Sequence, residues 1–411
     1  MGLAARKAGN YLRQASTSSK NQVLRALADE LKNKEKQIIE ENEKDLAAGK
    51  ANNLSAALMD RLELNSKRIS AMSSSLEQIA SLEDPVGQIL SGWKMPAGMQ
   101  IRKQRIPLGV LAVIYESRPN VTIDVAALAL KSGNAVILRG GKEAIHSNIY
   151  LARLFLEMLA AQGFPGQAVQ LVQKTEREYM QQLLQESETI DLVVPRGGHG
   201  LIQFVRDNSK IPIVKHDAGI CHCFVDDSAP KDRAIDIVIN GKTQRPSVCN
   251  ALETVLIHKG WEHTADLLNE LQTKSVVLRG DQDSISFASQ LGVTLQPLKE
   301  TGYRTEYLDL EVSLKFIDSV EQAITHIEEN TSYHSEVIIS ETAQNIHAFE
   351  KSLDSAAIFI NCSSRFHDGG EFGLGAEVGI GTGKLHSRGP MTLADLTTFK
   401  YVINGQGQFR D

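Results

Sequence analysis

Over the first ~80 residues the apolar positions recur at helical spacing. Leu24, Leu27, Leu31 and Ile38 mark one stripe, and lysine and glutamate fill the other faces, which predicts helices. The pattern breaks at Asp84-Pro85-Val86-Gly87. From Ile89 to Ile106 the chain reads as two short strands around Met95-Pro96-Ala97-Gly98, whose residues favour a turn. An arm this polar has little core of its own and is expected to pair with something else.

At Leu108 the character changes. Residues 110–115 form a continuous apolar run of the buried-strand type, followed by a helical stretch at 123–130 and a second such strand at 135–138. Helix 147–159, strand 168–172, helix 178–184 and strand 191–194 continue the alternation. A second alternating block starts near Ile235, with strands at 254–258, 275–278, 312–317, 336–339 and 357–361. From Arg365 the chain is glycine-rich, and it closes with a strand-like run at 399–403. Continuous apolar strands alternating with helices predict parallel sheets covered on both faces. The class is α/β, laid out as two units and a strand arm.

Composition narrows the setting. A chain of 411 residues exceeds one ordinary core. Its 42% apolar and 23% charged residues are ordinary for a globular protein in water. A formal charge of −6 gives no reason to expect nucleic acid or an anionic membrane as partner. No apolar run approaches the ~18 residues that span a bilayer. The opening Met1-Gly2-Leu3-Ala4-Ala5-Arg6-Lys7 leads into polar helical sequence, not into a signal-peptide core. Four cysteines without paired spacing argue against a disulfide framework, so a reducing cytoplasm is the expected compartment.

Cys249 lies in Arg245-Pro246-Ser247-Val248-Cys249-Asn250-Ala251-Leu252-Glu253-Thr254. Pro246 disfavours helix at Arg245, and a helical turn is expected to start just after it. A cysteine in the first turn of a helix meets the positive end of its dipole. That favours the thiolate, the form that takes an acyl group as a thioester. Read alone, a cysteine is more often a small apolar residue of the interior. The polar, turn-like neighbourhood favours reactivity, and both readings stand at this point.

Cys221-His222-Cys223 has no second ligand pair at zinc spacing. In a strand its two cysteines share a face that excludes His222, so packing is expected there and not a metal. In Asp191-Leu192-Val193-Val194-Pro195-Arg196-Gly197-Gly198-His199-Gly200 a strand meets a glycine turn and then a helix at 201–206. Backbone N–H groups at such a start cradle a phosphate, or simply make a turn, since the G-x-G-x-x-G fingerprint is absent. Gly379-Ile380-Gly381-Thr382-Gly383-Lys384 mimics part of a P-loop, but position 378 is valine and Leu385 stands in place of the required Ser or Thr. Arg139-Gly140-Gly141-Lys142 ends a central strand, where ligands of open α/β sheets bind. Its two cations suit an extra phosphate such as the 2′-phosphate of NADP, or are solvated surface charge.

Taken together, these segments resemble the γ-glutamyl phosphate reductases of proline biosynthesis, within the aldehyde dehydrogenase superfamily, over essentially the whole chain. The most specific blocks are Tyr115-Glu116-Ser117-Arg118-Pro119-Asn120-Val121-Thr122, Val194-Pro195-Arg196-Gly197-Gly198, Gly219-Ile220-Cys221-His222 and Cys249-Asn250-Ala251-Leu252-Glu253-Thr254. Further blocks are Arg365-Phe366, the run from Asp368 to Ile380, and His386-Ser387-Arg388-Gly389-Pro390-Met391. The wider superfamily relation rests on layout, on Pro107-Leu108-Gly109-Val110 and on the cysteine. The family's histidine-containing signature is present as Ala323-Ile324-Thr325-His326-Ile327 and His334-Ser335-Glu336, and Asn330-Thr331-Ser332 between them departs from the usual residues.

The resemblance implies an aldehyde-dehydrogenase-like fold. A Rossmann-type cofactor domain would occupy 1–88 and 107–228, and an oligomerisation β-arm 89–106 and 397–411. An α/β catalytic domain would occupy 229–364, and a glycine-rich return segment, 365–396, would line the active site. The implied reaction is the NADPH-dependent reduction of L-glutamyl 5-phosphate to L-glutamate 5-semialdehyde with release of phosphate, through a thioester on Cys249. Oxyanion donors would be the backbone N–H of Cys249 and the side chain of Asn120. Gly197 and Gly198 would admit the cofactor pyrophosphate, Arg139 and Lys142 would meet the adenosine phosphate, and Glu306 would hold the nicotinamide ribose. Arg118 and Arg365, then Arg245, are the implied ligands of the substrate's anionic groups. Aldehyde-oxidising relatives place a water-activating glutamate in the loop that here reads Val214-Lys215-His216-Asp217-Ala218-Gly219. His216 stands nearest that position, on the substrate side, and the loss of the glutamate would suppress hydrolysis of the thioester, so that phosphate and not water exchanges with it. No metal is implied.

An aldehyde-oxidising or CoA-acylating enzyme on the same scaffold is the alternative, and it calls for the missing glutamate. A catalytically silent subunit would tolerate loss of Cys249, yet the cysteine and both cofactor segments are in place. The chain has no room for an amino-acid kinase domain, so glutamate 5-kinase would be a separate partner in a transient complex. The arm and the terminal strand are edges that seek partners, and a homo-oligomer is expected.

Overall fold

Leu24, Leu27 and Leu31 are fully buried on one face of the helix Thr17–Asn33, whereas Ile38 belongs to the next helix, Glu35–Ala51. Lys34 separates the two, with a backbone (φ −102°, ψ 14°) at the edge of the helical basin. The predicted stripe therefore continues across a bend and not along one straight helix. The computed structural model describes residues 1–214 and 218–410. They divide into two units: Met1–Val214 with Gly373–Gly379 and Met391–Asp411, and Lys215–Phe372 with Ile380–Pro390.

The first unit contains β1 (Ile89–Lys94), β2 (Gln100–Pro107), β3 (Val110–Tyr115), β4 (Ala135–Arg139), β5 (Val169–Leu171) and β6 (Leu192–Arg196). The last four form a parallel sheet in the order β5-β4-β3-β6. β3 is buried along its whole length, as its unbroken apolar run requires. The following helix starts at Asn120, three residues before the predicted 123, and runs to Lys131. Pro195 sits inside β6 without breaking the sheet because β6 is an edge strand. With β4 and β5 on one side of β3 and β6 on the other, the strand order switches between β3 and β6, the place where open α/β sheets bind ligands at their carboxyl ends.

The second unit contains β7 (Cys221–Val225), β8 (Leu252–His258), β9 (Val277–Gly280), β10 (Gln296–Pro297), β11 (Glu311–Ile317), β12 (Ser335–Ile339) and β13 (Ala357–Ile360). They form a parallel sheet in the order β10-β9-β11-β8-β7-β12-β13. This corrects the expected boundary at 228, because β7 pairs with β8 and β12 and so belongs to the second unit. β9 begins at Val277 and not at 275, because Ser275 adopts φ +61° to close the helix Thr264–Thr273. The return segment 365–396 is not one piece either. Its parts are divided between the two units, and Ile380–Gly381 (β14) pairs with Gly389–Pro390 (β15) in a small antiparallel hairpin.

The arm is a three-stranded antiparallel sheet. β1 pairs with one edge of β2, and β16 (Thr397–Asn404) pairs with the other edge along its whole length. Ile89, Leu90, Trp93, Phe399, Tyr401 and Ile403 on it are all solvent-exposed. Among the described residues no helix is long and apolar enough to cross a membrane.

Candidate active site

The helix Lys231–Thr243 stops at Gln244, and Pro246 to Asn250 is a series of turns closed by the Ala251 N–H on Val248 O (3.1 Å) before β8. The helix expected after Pro246 does not form, because the parallel pairing of β8 begins too soon after the proline to leave room for it. Cys249 therefore takes nothing from a helix dipole of its own segment. Its backbone is held in other ways. A Cβ on Gly219 would lie 2.0 Å from Cys249 O and 2.6 Å from its Cα, so only glycine permits this approach. Cys221 Sγ donates to Cys249 O at 3.2 Å. Ser364 Oγ donates to Asn250 O (2.7 Å), and Asn250 Nδ2 donates to His367 O (3.1 Å).

Those last two bonds fix the short turn Ser364–Phe366, and with it Arg365. Arg365 Nε donates to Gln244 Oε1 (2.8 Å), while its buried Nη1 has no hydrogen-bond partner among the described residues. Burial pushes the Arg365 guanidinium below its ordinary value and the neighbouring Arg245 cation pushes the same way. Cys249 and the Asp368 carboxylate oppose both. Glu306 Oε1 accepts the Gly219 N–H at 2.8 Å. The second unit thus gathers Cys249, Arg245, Arg365 and Glu306, four residues spread over more than a hundred positions of the sequence.

A buried polar layer lies among β7, β12 and the loop before β12. Glu336, fully buried, accepts from Thr331 Oγ1 (2.5 Å) and Ser355 Oγ (2.9 Å), and pairs with His222 Nδ1 at 2.9 Å. Ser332 Oγ accepts the Ile220 N–H (2.9 Å). The departing triplet Asn330-Thr331-Ser332 therefore supplies two of the hydroxyls of this layer. Cys221 and Cys223 are both fully buried, and burial pushes their thiols up. No group of three His, Cys, Asp or Glu side chains suited to a metal ion occurs among the described residues.

In the first unit the glycine turn follows the carboxyl end of β6, and the helix His199–Asn208 starts from it. Its cradle is taken: Gly198 N–H donates to Glu116 Oε2 at 2.8 Å. A Cβ on Gly197 would lie 2.5 Å from that oxygen and 2.6 Å from Leu201 Cδ2. Sequence reasoning missed Glu116; its place at the end of a central strand, inside a family block, was the available signal. Arg139 Nη2 donates to Thr175 O (2.6 Å), and burial lowers its guanidinium against the opposing charges of Glu143 and Glu116. Lys142 is exposed. Glu143 Oε1 accepts from the Ser117 N–H (2.6 Å) and Oγ (2.8 Å), holding Ser117 at φ +37°. Asn120 Nδ2 donates to Asp124 Oδ2 (2.9 Å), whose carboxyl is pushed up by burial. Arg118 is half-buried in the same turn. His216 lies outside the described residues.

Residues 3–291 match the aldehyde dehydrogenase family. A γ-glutamyl phosphate reductase of Leptospira interrogans is 51% identical over 406 residues, covering 99% of this chain and 97% of the relative. The chain belongs to the γ-glutamyl phosphate reductase family. A solved γ-glutamyl phosphate reductase from Thermotoga maritima superposes on this family member with a TM-score of 0.95 at 39% identity, covering 100% of this chain and 99% of the other. The fold also extends beyond the reductases. An acetylating aldehyde dehydrogenase from Geobacillus thermoglucosidasius superposes with a TM-score of 0.71 at 16% identity, covering 100% of this chain and 96% of that one.

Proposed function

We propose that this chain catalyses the NADPH-dependent reduction of L-glutamyl 5-phosphate to L-glutamate 5-semialdehyde with release of phosphate, a step of proline biosynthesis in the cytoplasm. The observation that carries this reading is Arg365, in electrostatic reach of both Cys249 and Arg245, on a turn pinned to the cysteine's own loop. Two adjacent cations suit a substrate that carries a phosphate and a carboxylate.

The Cys249 sulfur attacks the acyl carbon, the bond to the phosphate oxygen breaks, and phosphate leaves a thioester on the enzyme. Bound NADPH supplies a hydride. After reduction the carbon–sulfur bond breaks, which frees the semialdehyde and restores the thiolate. The Cys249 N–H is a fixed donor for the developing oxyanion. Asn120 and Arg118 carry the roles the family implies, as oxyanion donor and anion ligand.

The first unit fits a dinucleotide. It has the switch of strand order, N–H groups at the start of the helix His199–Asn208, and exposed Lys142 at the end of β4 for an extra phosphate. Gly198 and Gly197 would serve the pyrophosphate once Glu116 moves aside, and Glu306 would serve the nicotinamide ribose. The apolar face of the arm would join copies into a homo-oligomer, and a transient complex with glutamate 5-kinase would deliver the labile acyl phosphate.

The reverse reaction tests this. With semialdehyde and NADP, NADPH should form only when phosphate is added, and a Cys249→Ala variant should be inactive. Turnover without phosphate would point to an aldehyde-oxidising enzyme and sink the acyl-phosphate assignment.

A further inference from the structure

Four residues after the nucleophile, Glu253 sits on β8 with no solvent exposure and faces Lys242, also fully buried, from the helix Lys231–Thr243. Lys242 Nζ donates to Glu253 Oε2 at 2.9 Å and to Leu252 O at 2.8 Å. A buried ion pair adds little net stability, since desolvation of both charges offsets their attraction. Its use lies in what the second carboxylate oxygen does. Glu253 Oε1 accepts the backbone N–H of Leu308 at 3.2 Å. Leu308 holds φ +53°, a left-handed conformation that a branched side chain disfavours by about 1–2 kcal/mol. Two residues before it, Glu306 bonds the Gly219 N–H, and Gly219 lies against the backbone of Cys249.

We propose that Glu253, oriented by Lys242, is a positioning residue: it holds the left-handed turn at Leu308 and so aims the Glu306 carboxylate beside Cys249. This rests on the reading of Glu306 as the nicotinamide-ribose ligand. The path runs from the Lys242 ammonium through Glu253, the Leu308 amide and Glu306 to the Gly219 amide, all within the second unit. The neighbouring residue adds support, as Tyr307 Oη is hydrogen-bonded to Ser313 Oγ at 2.8 Å and fixes the same loop from β11.

Two double variants separate the hydrogen bond from the charge. Lys242→Met/Glu253→Gln removes both charges and keeps an acceptor for Leu308, whereas Lys242→Met/Glu253→Leu removes the acceptor as well. NADPH affinity is read by fluorescence titration of the full-length enzyme, with the rate of Cys249 alkylation as a second readout. The Leu variant should bind NADPH about tenfold more weakly, the equivalent of losing support for one strained residue. The Gln variant should stay within about threefold of wild type. Alkylation should be unchanged in both. Adding Leu308→Asn, which tolerates the left-handed backbone, should restore affinity to the Leu variant. Wild-type affinity in the Leu variant, with a Glu306→Gln variant impaired, would overturn the positioning role alone. Wild-type affinity in Glu306→Gln would overturn the reading of Glu306 beneath it. Hydrogen exchange in the unaltered enzyme needs no folded variant: slow exchange at the Leu308 amide supports the proposal, and exchange at the rate of an open loop overturns it.

Discussion

Replacing Glu116 by Gln should tighten NADPH binding while weakening the fold. The Glu116 carboxylate accepts from Gly198 N–H at 2.8 Å, in the position proposed for a cofactor phosphate at the start of the helix His199–Asn208. To admit that phosphate the protein must give up a charge-assisted hydrogen bond, about 1.5–3 kcal/mol. A glutamine keeps an acceptor of roughly half that strength. The difference, about 0.7–1.5 kcal/mol, predicts a dissociation constant for NADPH about 3- to 12-fold lower in the variant. Stability should move the opposite way, because an anion at a helix N-terminus contributes about 0.3–1 kcal/mol. Fluorescence titration with NADPH at low and moderate salt, beside urea unfolding of the same samples, measures both. Unchanged or weaker NADPH binding would refute the displacement and show that the cofactor phosphate lies elsewhere.

Three further outcomes are expected. Gly219→Ala places a methyl 2.0 Å from Cys249 O; overpacking should cost about 1–3 kcal/mol of stability, and moving the proposed nucleophile should lower kcat about 100-fold, so near-normal kcat would contradict the close approach. Arg365→Ala should raise KM for phosphate in the reverse reaction roughly 10- to 150-fold, the loss of one charged contact, with KM for NADP unchanged; a rise in the NADP value instead would move Arg365 to the cofactor. Burial, helped by the charges of His222 and Lys315, lowers His326 to about 3. A depressed folded value means that its stabilising contribution is present above the unfolded value and is lost as pH falls from 6.5 toward 3. The cost is about 1.4 kcal/mol per pH unit in that window. His326→Leu should therefore lose about 2 kcal/mol less than wild type between pH 7.5 and 5 in urea titrations, and parallel losses would show that His326 does not titrate with unfolding. Glu253, pushed up mainly by burial, acts with the opposite sign but equally in both proteins, so it cancels in the comparison.

Strand type was legible because a strand covered on both faces must be apolar throughout, as in Val110–Tyr115. Which sheet a strand joins was not. Cys221–Val225 has the same composition whether it extends the first sheet or starts the second, and only its hydrogen bonds to β8 and β12 decide. Cys249 was identifiable from its sequence block, but the supposed helix around it was not real, since local propensity after Pro246 yields to the pairing of β8. Glu116 on Gly198 and Glu253 on Leu308 join residues tens of positions apart. No periodicity encodes such contacts, and they occur only once the sheets are assembled.

The arm has a consequence for timing. Thr397 lies opposite Pro107, so β2 and β16 meet across a separation of roughly 300 residues, the kind of contact that forms late. At synthesis rates of about 5–20 residues per second, β2 waits about 15–60 s for its partner. Through that interval the second edge of β2 also stays open, and the surface proposed to join copies lacks Phe399, Tyr401 and Ile403. The second unit has been synthesised before that surface is complete, which would order folding of each copy ahead of the proposed assembly between copies.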